Sequence, residues 1–175
     1  MHGAMEPVLA RIEHLLMLAG AFRLPLIATF EHPTERKGWL PPRLEAVFPA
    51  HGLRLIKRTF NAYAEDAVHR ALDDLPITQI AVAGAETDVC VLQSVLGLLQ
   101  AGYQVTVLED CLFSSEPHPR PALERMVQAG AVPSTYKTFY YELVRTVDRA
   151  AWPAGWPEAL AALGERFRPP EALTR

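Results

Sequence analysis

A cysteine at the start of a predicted helix is the residue of this chain whose type and position most clearly allow chemistry. Cys90 follows a buried apolar strand, 79–84, and a short polar turn, 85–88. Helix N-termini carry unpaired N–H groups and a partial positive charge, and both favour an anion. We therefore expect the Cys90 thiol to exist partly as the nucleophilic thiolate, with nearby amides able to hold an oxyanion. The alternative is a buried structural cysteine, the commoner fate of this residue type.

Extended and helical patterns alternate along the chain, which is typical of a parallel sheet with crossover helices. The strand-like runs are apolar on both faces, as in strands that helices cover on either side. The sequence therefore predicts an α/β fold, a three-layer α/β/α sandwich with a mostly parallel sheet and Rossmann-like topology. The predicted strands are 26–30, 53–56, 79–84, 105–108 and part of 132–139, and the predicted helices are 7–21, 64–75, 90–101, 121–129 and 140–149.

The chain is most simply one domain with a tail. Residues 1–149 hold the alternating pattern, interrupted by a proline-rich loop at 31–49. Residues 150–175 are predicted to be a proline-rich C-terminal extension with one short helix near 157–168.

The carboxyl ends of the strands should hold the chemistry, because ligands bind beyond these ends in open α/β sheets. The ends are Phe30, Lys57, the segment 84–90 and the segment 110–115. We therefore expect all candidate functional groups to meet at one edge of the sheet.

The composition excludes several classes of function. Of the 175 residues, 50% are hydrophobic and 21% are charged, with a net charge of -3 and no basic patch of the kind that binds nucleic acid. The longest apolar runs are strand-length or broken by charges, so we expect no membrane span. The first apolar stretch contains Glu6, Arg11 and Glu13, which is not typical of a secretory signal. Cys90 and Cys111 alone cannot build a disulfide framework, so we expect a cytoplasmic protein.

The segment 84–91, Gly-Ala-Glu-Thr-Asp-Val-Cys-Val, resembles the G-x-x-T-x-x-C-V signature of the isochorismatase-like cysteine hydrolases. That family includes nicotinamidases and carbamoylsarcosine amidases. The segments 24–29, 102–110 and 122–131 also resemble the family, and together the similar stretches span roughly 6–148. The resemblance implies that Cys90 is a nucleophile in an isochorismatase-like fold.

The resemblance also implies roles for residues around the cysteine. A lysine pairs with the cysteine in the family, and Lys57 stands at the matching position, where an ammonium group would stabilise the thiolate. The alternative for Lys57 is a solvated surface lysine. The family carries a non-proline cis peptide at the bond that matches Ala85–Glu86. The amides of Glu86 and Cys90 are then the implied oxyanion donors.

A third catalytic residue of the family has no counterpart in this sequence. It is an aspartate that acts as general base at the end of a first strand, whereas this chain opens in the helix after that strand and has no aspartate before Asp66. Glu6, Glu13 and Glu31 offer no convincing substitute. Three explanations stay open: the natural protein begins upstream of Met1, the chain is a truncated relic, or the two strands flanking the first strand meet directly. We favour the first, and we expect the polypeptide as it stands to lack full activity.

Other candidate residues concern the pocket and a metal. Phe30, Phe60 and Phe113 are candidate pocket residues, although single aromatics are more often part of a core. The stretch 30–33 faintly resembles a metal-binding D-x-H-P sequence of nicotinamidases, but Phe30 stands where the ligating aspartate would be. His32 alone does not make a site, so we expect no metal and no cofactor.

The leading functional prediction is a cysteine-dependent hydrolase that cleaves a small amide-type C–N bond through a thioester on Cys90. The alternative is a catalytically inactive family member that serves as a binding or oligomer-forming protein. A weaker third hypothesis is a thiol redox sensor that uses Cys90 alone. Because family members commonly form dimers or larger rings, we expect a homo-oligomer. We expect its partner to be a small-molecule substrate, with no nucleic acid and no membrane.

Overall fold

The computed structural model describes residues 5–154 and contains the predicted alternation of helices and parallel strands. The strands are β1 (Ile27–Glu31), β2 (Leu53–Lys57), β3 (Gln79–Ala85), β4 (Gln104–Phe113) and β5 (Val132–Ser134). The helices are α1 (Met5–Ala21), α2 (Thr34–Lys37), α3 (Pro42–Glu45), α4 (Asp66–Asp73), α5 (Leu92–Gln100), α6 (Arg120–Gln128) and α7 (Tyr136–Val144). Single 3-10 turns lie at Ala62–Ala64 and Arg149–Ala151, and a π-helical turn, Thr87–Val91, leads into α5.

Helices cover both faces of the strands, so the predicted three-layer α/β/α architecture is confirmed. One face of β4 packs with α4, α5 and α6 around a cluster that includes Val95, Val105 and Met126. The other face packs with α1 and α7 around a cluster that includes Leu18 and Leu108. Both faces of this strand are therefore buried, as the continuous apolar run predicted.

The strands form two parallel sheets, β1-β2 and β3-β4-β5, that share no ladder among the described residues. The explanation in which the two strands flanking the missing one meet directly is therefore wrong, because β1 and β3 do not pair. One edge of β3 has no strand beside it within residues 5–154, and no residue of β3 is fully buried.

Some element boundaries differ from the sequence prediction. The proposed loop 31–49 contains the one-turn helices α2 and α3. Strand β4 runs on to Phe113, because pairing with β3 resumes after an irregularity in which the ladder steps from the pair Val82–Val107 to the pair Gly84–Leu112. Helix α7 begins near residue 136 rather than 140, because the Thr135 hydroxyl accepts a hydrogen bond from a backbone N–H of its first turn.

The C-terminal extension proposed for 150–175 falls mostly outside the described residues, including its helix near 157–168. Its first part follows α7, and the Trp152 ring lies 6.5 Å from that of Tyr140. No helix within residues 5–154 is long and apolar enough to cross a bilayer.

Leu18→Ala should destabilise the protein by about 2–5 kcal/mol. Leu18 of α1 is fully buried against β4, and truncation of its side chain leaves a cavity. The free energy of unfolding, measured by urea denaturation, checks this. The matched control is Leu53→Ala in β2, where the leucine is 46% exposed and the loss should stay below about 1 kcal/mol. Equal losses for the two variants would contradict the position of the core.

Candidate active site

The carboxyl ends of β1, β2 and β3 meet at one place, as the sheet rule predicted. Glu31 ends β1, Lys57 ends β2, and the two residues are direct partners in the parallel ladder. The Lys57 carbonyl also accepts a hydrogen bond from the backbone N–H of His32 at 2.9 Å, which extends the pairing beyond the strands. Cys90 reaches the same place from the turn that follows β3.

The Lys57 ammonium group contacts the Cys90 sulfur directly. Nζ lies 3.3 Å from Sγ and also donates to the carbonyl oxygen of Thr59 at 3.1 Å. Lys57 is only 4% exposed, so it is not the solvated surface lysine of the alternative interpretation. Burial of a positive charge is costly unless it is paired. This pair therefore brings a cation and a sulfur together where water screens them weakly.

Cys90 is the fourth residue of the π-helical turn Thr87–Val91, and it is partly exposed. The Val91 N–H donates to the Glu86 carbonyl at 3.0 Å, five residues back, which widens the first turn. The prediction that the helix begins at Cys90 is wrong, because the backbone already becomes helical at Thr87. Cys90 nevertheless stays in the first turn, where helix N–H groups lack carbonyl partners within the helix.

The turn before Cys90 is fastened to the end of β4 by side chains. Thr87 in this turn is buried, with 2% of its surface exposed. The Ala85–Glu86 peptide bond is cis, as the family resemblance implies. The hydrogen bonds run from Thr87 Oγ1 to Phe113 O (2.9 Å), from Ser114 Oγ to Asp88 Oδ1 (2.6 Å), and from Ser115 N and Oγ to Glu86 Oε2 (2.5 and 3.0 Å). Three consecutive side chains thus fix the backbone whose amides are the candidate oxyanion donors.

Glu31 lies beside the sulfur, although the sequence interpretation dismissed it. Its Oε2 is 4.0 Å from Cys90 Sγ, and its Oε1 pairs with Lys37 Nζ at 2.9 Å. The hydrogen bond from Lys37 and the charges of Lys37 and Lys57 hold the pKa of this carboxyl below its usual value, against the opposing effect of burial. The signal that could have found Glu31 was its position at the carboxyl end of a strand, the rule already applied to Phe30 and Lys57.

Other candidate acidic groups lie elsewhere. Glu6 and Glu13 both pair with Arg43 of α3. Asp110 was expected at the edge with the rest of the segment 110–115, but it lies within β4 and binds the Tyr136 N–H at 2.7 Å and Arg11 at 3.5 Å. These three carboxylates therefore form ion pairs and hydrogen bonds away from the Cys90 sulfur.

The three candidate pocket aromatics occupy different surroundings. Phe113 lines a cavity of about 380 Å³, which also borders Thr87 and Ser114. Phe30 is buried, and its ring packs 4.8 Å from that of Trp39. Phe60 is 50% exposed. Of the three, Phe113 alone borders this cavity, so a shared pocket for them stays a prediction.

His32, in the stretch that resembles a metal motif, has an exposed side chain. Within residues 5–154, no group of three or more His, Cys, Asp or Glu side chains is arranged to hold a metal ion.

Comparison with known proteins identifies the family. The family model described as the isochorismatase domain matches residues 2–138. This chain belongs to the isochorismatase family. Isochorismatase family protein 1A of Dictyostelium discoideum is 28% identical over 141 residues, which are 79% of this chain and 68% of that protein.

Two solved structures in the family's fold are also similar. The octameric hydrolase of unknown specificity encoded by the ycaC gene of Escherichia coli has 28% identity and a TM-score of 0.78, covering 95% of this chain and 78% of its own. The MAR1 ribonuclease of Caenorhabditis elegans has 25% identity and a TM-score of 0.75, covering 82% and 73%. The fold is therefore that of the isochorismatase-family hydrolases.

Iodoacetamide should modify Cys90 at least about tenfold faster than Cys111 in the folded protein, because thiolate character and exposure control alkylation. Cys111 is fully buried, and burial together with the adjacent Asp110 carboxylate raises the pKa of its thiol. Peptide mass spectrometry after timed quenching gives the two rates. Equal rates in the folded protein, or faster labelling of Cys111, would contradict the site.

Proposed function

We propose that this isochorismatase-family protein hydrolyses the C–N bond of a small amide through a thioester on Cys90. The observation that carries the proposal is the contact of 3.3 Å between the buried Lys57 ammonium group and the Cys90 sulfur. An adjacent cation favours the thiolate over the thiol. A cysteine that is both partly exposed and paired with a cation matches the environment of reactive cysteines.

In the proposed reaction the Cys90 thiolate attacks the carbonyl carbon of the amide, and the carbonyl oxygen becomes an oxyanion. The amides of Glu86 and Cys90 would stabilise that oxyanion, and the turn that carries them is fastened to β4 by three side chains. The amine then leaves and a thioester remains on the sulfur. Water hydrolyses the thioester, which releases a carboxylic acid and frees the Cys90 sulfur for the next turnover.

A small amide is the substrate class of the proposal, and RNA is the comparison substrate because of the similarity to the MAR1 ribonuclease. The cavity of about 380 Å³ lies next to the turn that carries Cys90, but Cys90, Lys57 and Glu31 do not line it.

We also propose a homo-oligomer in the cytoplasm. The octameric assembly of the E. coli hydrolase supports the first part, and the two free cysteines support the second.

Cys90→Ala should lower ammonia release from the best substrate of a small primary-amide panel by at least about 10³-fold, because the nucleophile is removed. A coupled ammonia assay measures kcat/KM, and RNA cleavage is followed on a gel under the same conditions. Cys111→Ala removes the other thiol and should keep kcat/KM within about threefold.

Equal activity of Cys90→Ala and wild type would contradict the nucleophile. Absence of hydrolysis of every amide by the wild-type chain would favour the catalytically inactive family member instead. Cleavage of RNA that Cys90→Ala abolishes would replace the substrate class.

A further inference from the structure

We propose that Glu31 is the catalytic acid–base residue of this site, which takes the proton of Cys90 and returns it to the leaving amine. The inference rests on the proposed amide hydrolysis, since it assigns a step of that reaction. It goes beyond the cysteine and the lysine, which handle the carbon and the charge, because it assigns a carrier for the thiol proton and the amine proton within residues 5–154.

The two carboxylate oxygens of Glu31 have separate partners. Oε1 is held by Lys37 at 2.9 Å, and Oε2 lies 4.0 Å from Cys90 Sγ, with the thiol as donor. Lys57 contacts the same sulfur at 3.3 Å. The sulfur therefore has a cation and a carboxylate as neighbours, so that one group stabilises the thiolate and the other accepts its proton.

The access of solvent to Glu31 suits both halves of the reaction. Its side chain is 32% exposed, while Lys57 is buried. A leaving amine and an incoming water must both reach the proton carrier. Glu6 and Glu13 pair with Arg43, so neither takes this place in the described part of the chain.

The charges around Glu31 set its resting state. The hydrogen bond from Lys37, followed by the charges of Lys37 and Lys57, lowers the pKa of the Glu31 carboxyl. The carboxylate is therefore ionised at neutral pH and ready to accept a proton.

The proton balance closes over one turnover. The S–H proton moves to Oε2, and the new thiolate attacks the carbonyl carbon. As the tetrahedral intermediate collapses, the C–N bond breaks and the Glu31 carboxyl gives its proton to the nitrogen, which leaves as the neutral amine. Glu31 then takes a proton from water as the hydroxyl group adds to the thioester, and the C–S bond breaks. The proton returns from Glu31 to the sulfur, and the sum is one water consumed for one amide cleaved.

The first test is Glu31→Gln, which keeps the shape of the side chain but cannot carry the proton. We expect kcat/KM for the amide to fall at least about 100-fold, the usual contribution of general acid–base catalysis. Alkylation of Cys90 by iodoacetamide should not slow, because removal of a neighbouring negative charge favours the thiolate. The matched control is Glu35→Gln, which removes an exposed charge of α2 and should leave kcat/KM within about twofold.

The second test is Lys37→Met, which removes the main cause of the lowered Glu31 pKa. A base acts in its ionised form, so activity is lost as the pH falls through the pKa of Glu31. Because this variant raises that pKa, the acid limb of the kcat/KM profile should move to higher pH. Lys37 is 55% exposed, so its loss should leave the fold intact.

Three outcomes overturn the inference alone, provided that wild type hydrolyses the amide. In the first, Glu31→Gln keeps kcat/KM within about threefold, and in the second, this variant loses amide hydrolysis and Cys90 alkylation together. In the third, Lys37→Met leaves the acid limb of the kcat/KM profile at the same pH. A wild-type chain that hydrolyses no amide overturns the proposed function, and this inference falls with it.

Discussion

A buried ammonium group in contact with a sulfur atom is the interaction on which the site depends. Lys57 is 4% exposed, and its charge is matched by the Thr59 carbonyl, the Cys90 sulfur and the nearby Glu31 carboxylate. Removal of a charge from water costs several kcal/mol unless such partners replace the solvent, so this lysine needs its neighbours for stability as well as for chemistry.

The same contact joins two parts of the molecule that share no strand pairing within residues 5–154. Lys57 belongs to the sheet of β1 and β2, and Cys90 follows the sheet of β3 to β5. The segment after β2 adds a second link, because Ser94 of α5 accepts from the Ala62 N–H at 2.9 Å. Gly97 permits this close approach, since a Cβ there would lie 2.4 Å from the Asn61 amide nitrogen. The distance from nucleophile to lysine is thus controlled by packing between α5 and the segment after β2.

Local patterns predicted most of the fold, and long-range contacts account for what they missed. Continuous apolar strands and glycine stops identified the three layers, because burial on both faces is visible in the sequence itself. The sequence pattern predicted a later start for α7 and an earlier end for β4. The start of α7 depends on a threonine cap and the end of β4 on an irregular ladder, and both features depend on the tertiary structure. The family resemblance pointed to the cysteine, the lysine and the cis peptide bond.

Glu31 shows where prediction of the site failed. Its identity and its place at the end of a strand were visible, but its direction and its pairing with Lys37 were not. The family's aspartate ends a different strand, whereas Glu31 lies near the sulfur because the register of β1 with β2 pairs it with Lys57. The carboxyl-end rule for parallel sheets was the better guide.

The rate of Cys90 alkylation by iodoacetamide tests the central claim most directly. It is measured at one pH in a Cys111→Ala background, with Lys57 intact and replaced by methionine, which keeps the length of the side chain without its charge. Loss of the ammonium group should slow alkylation at least about tenfold, because an adjacent cation favours the thiolate, which is the reactive form. The same rate in both proteins would contradict the account, because the lysine would then do nothing for the sulfur it contacts.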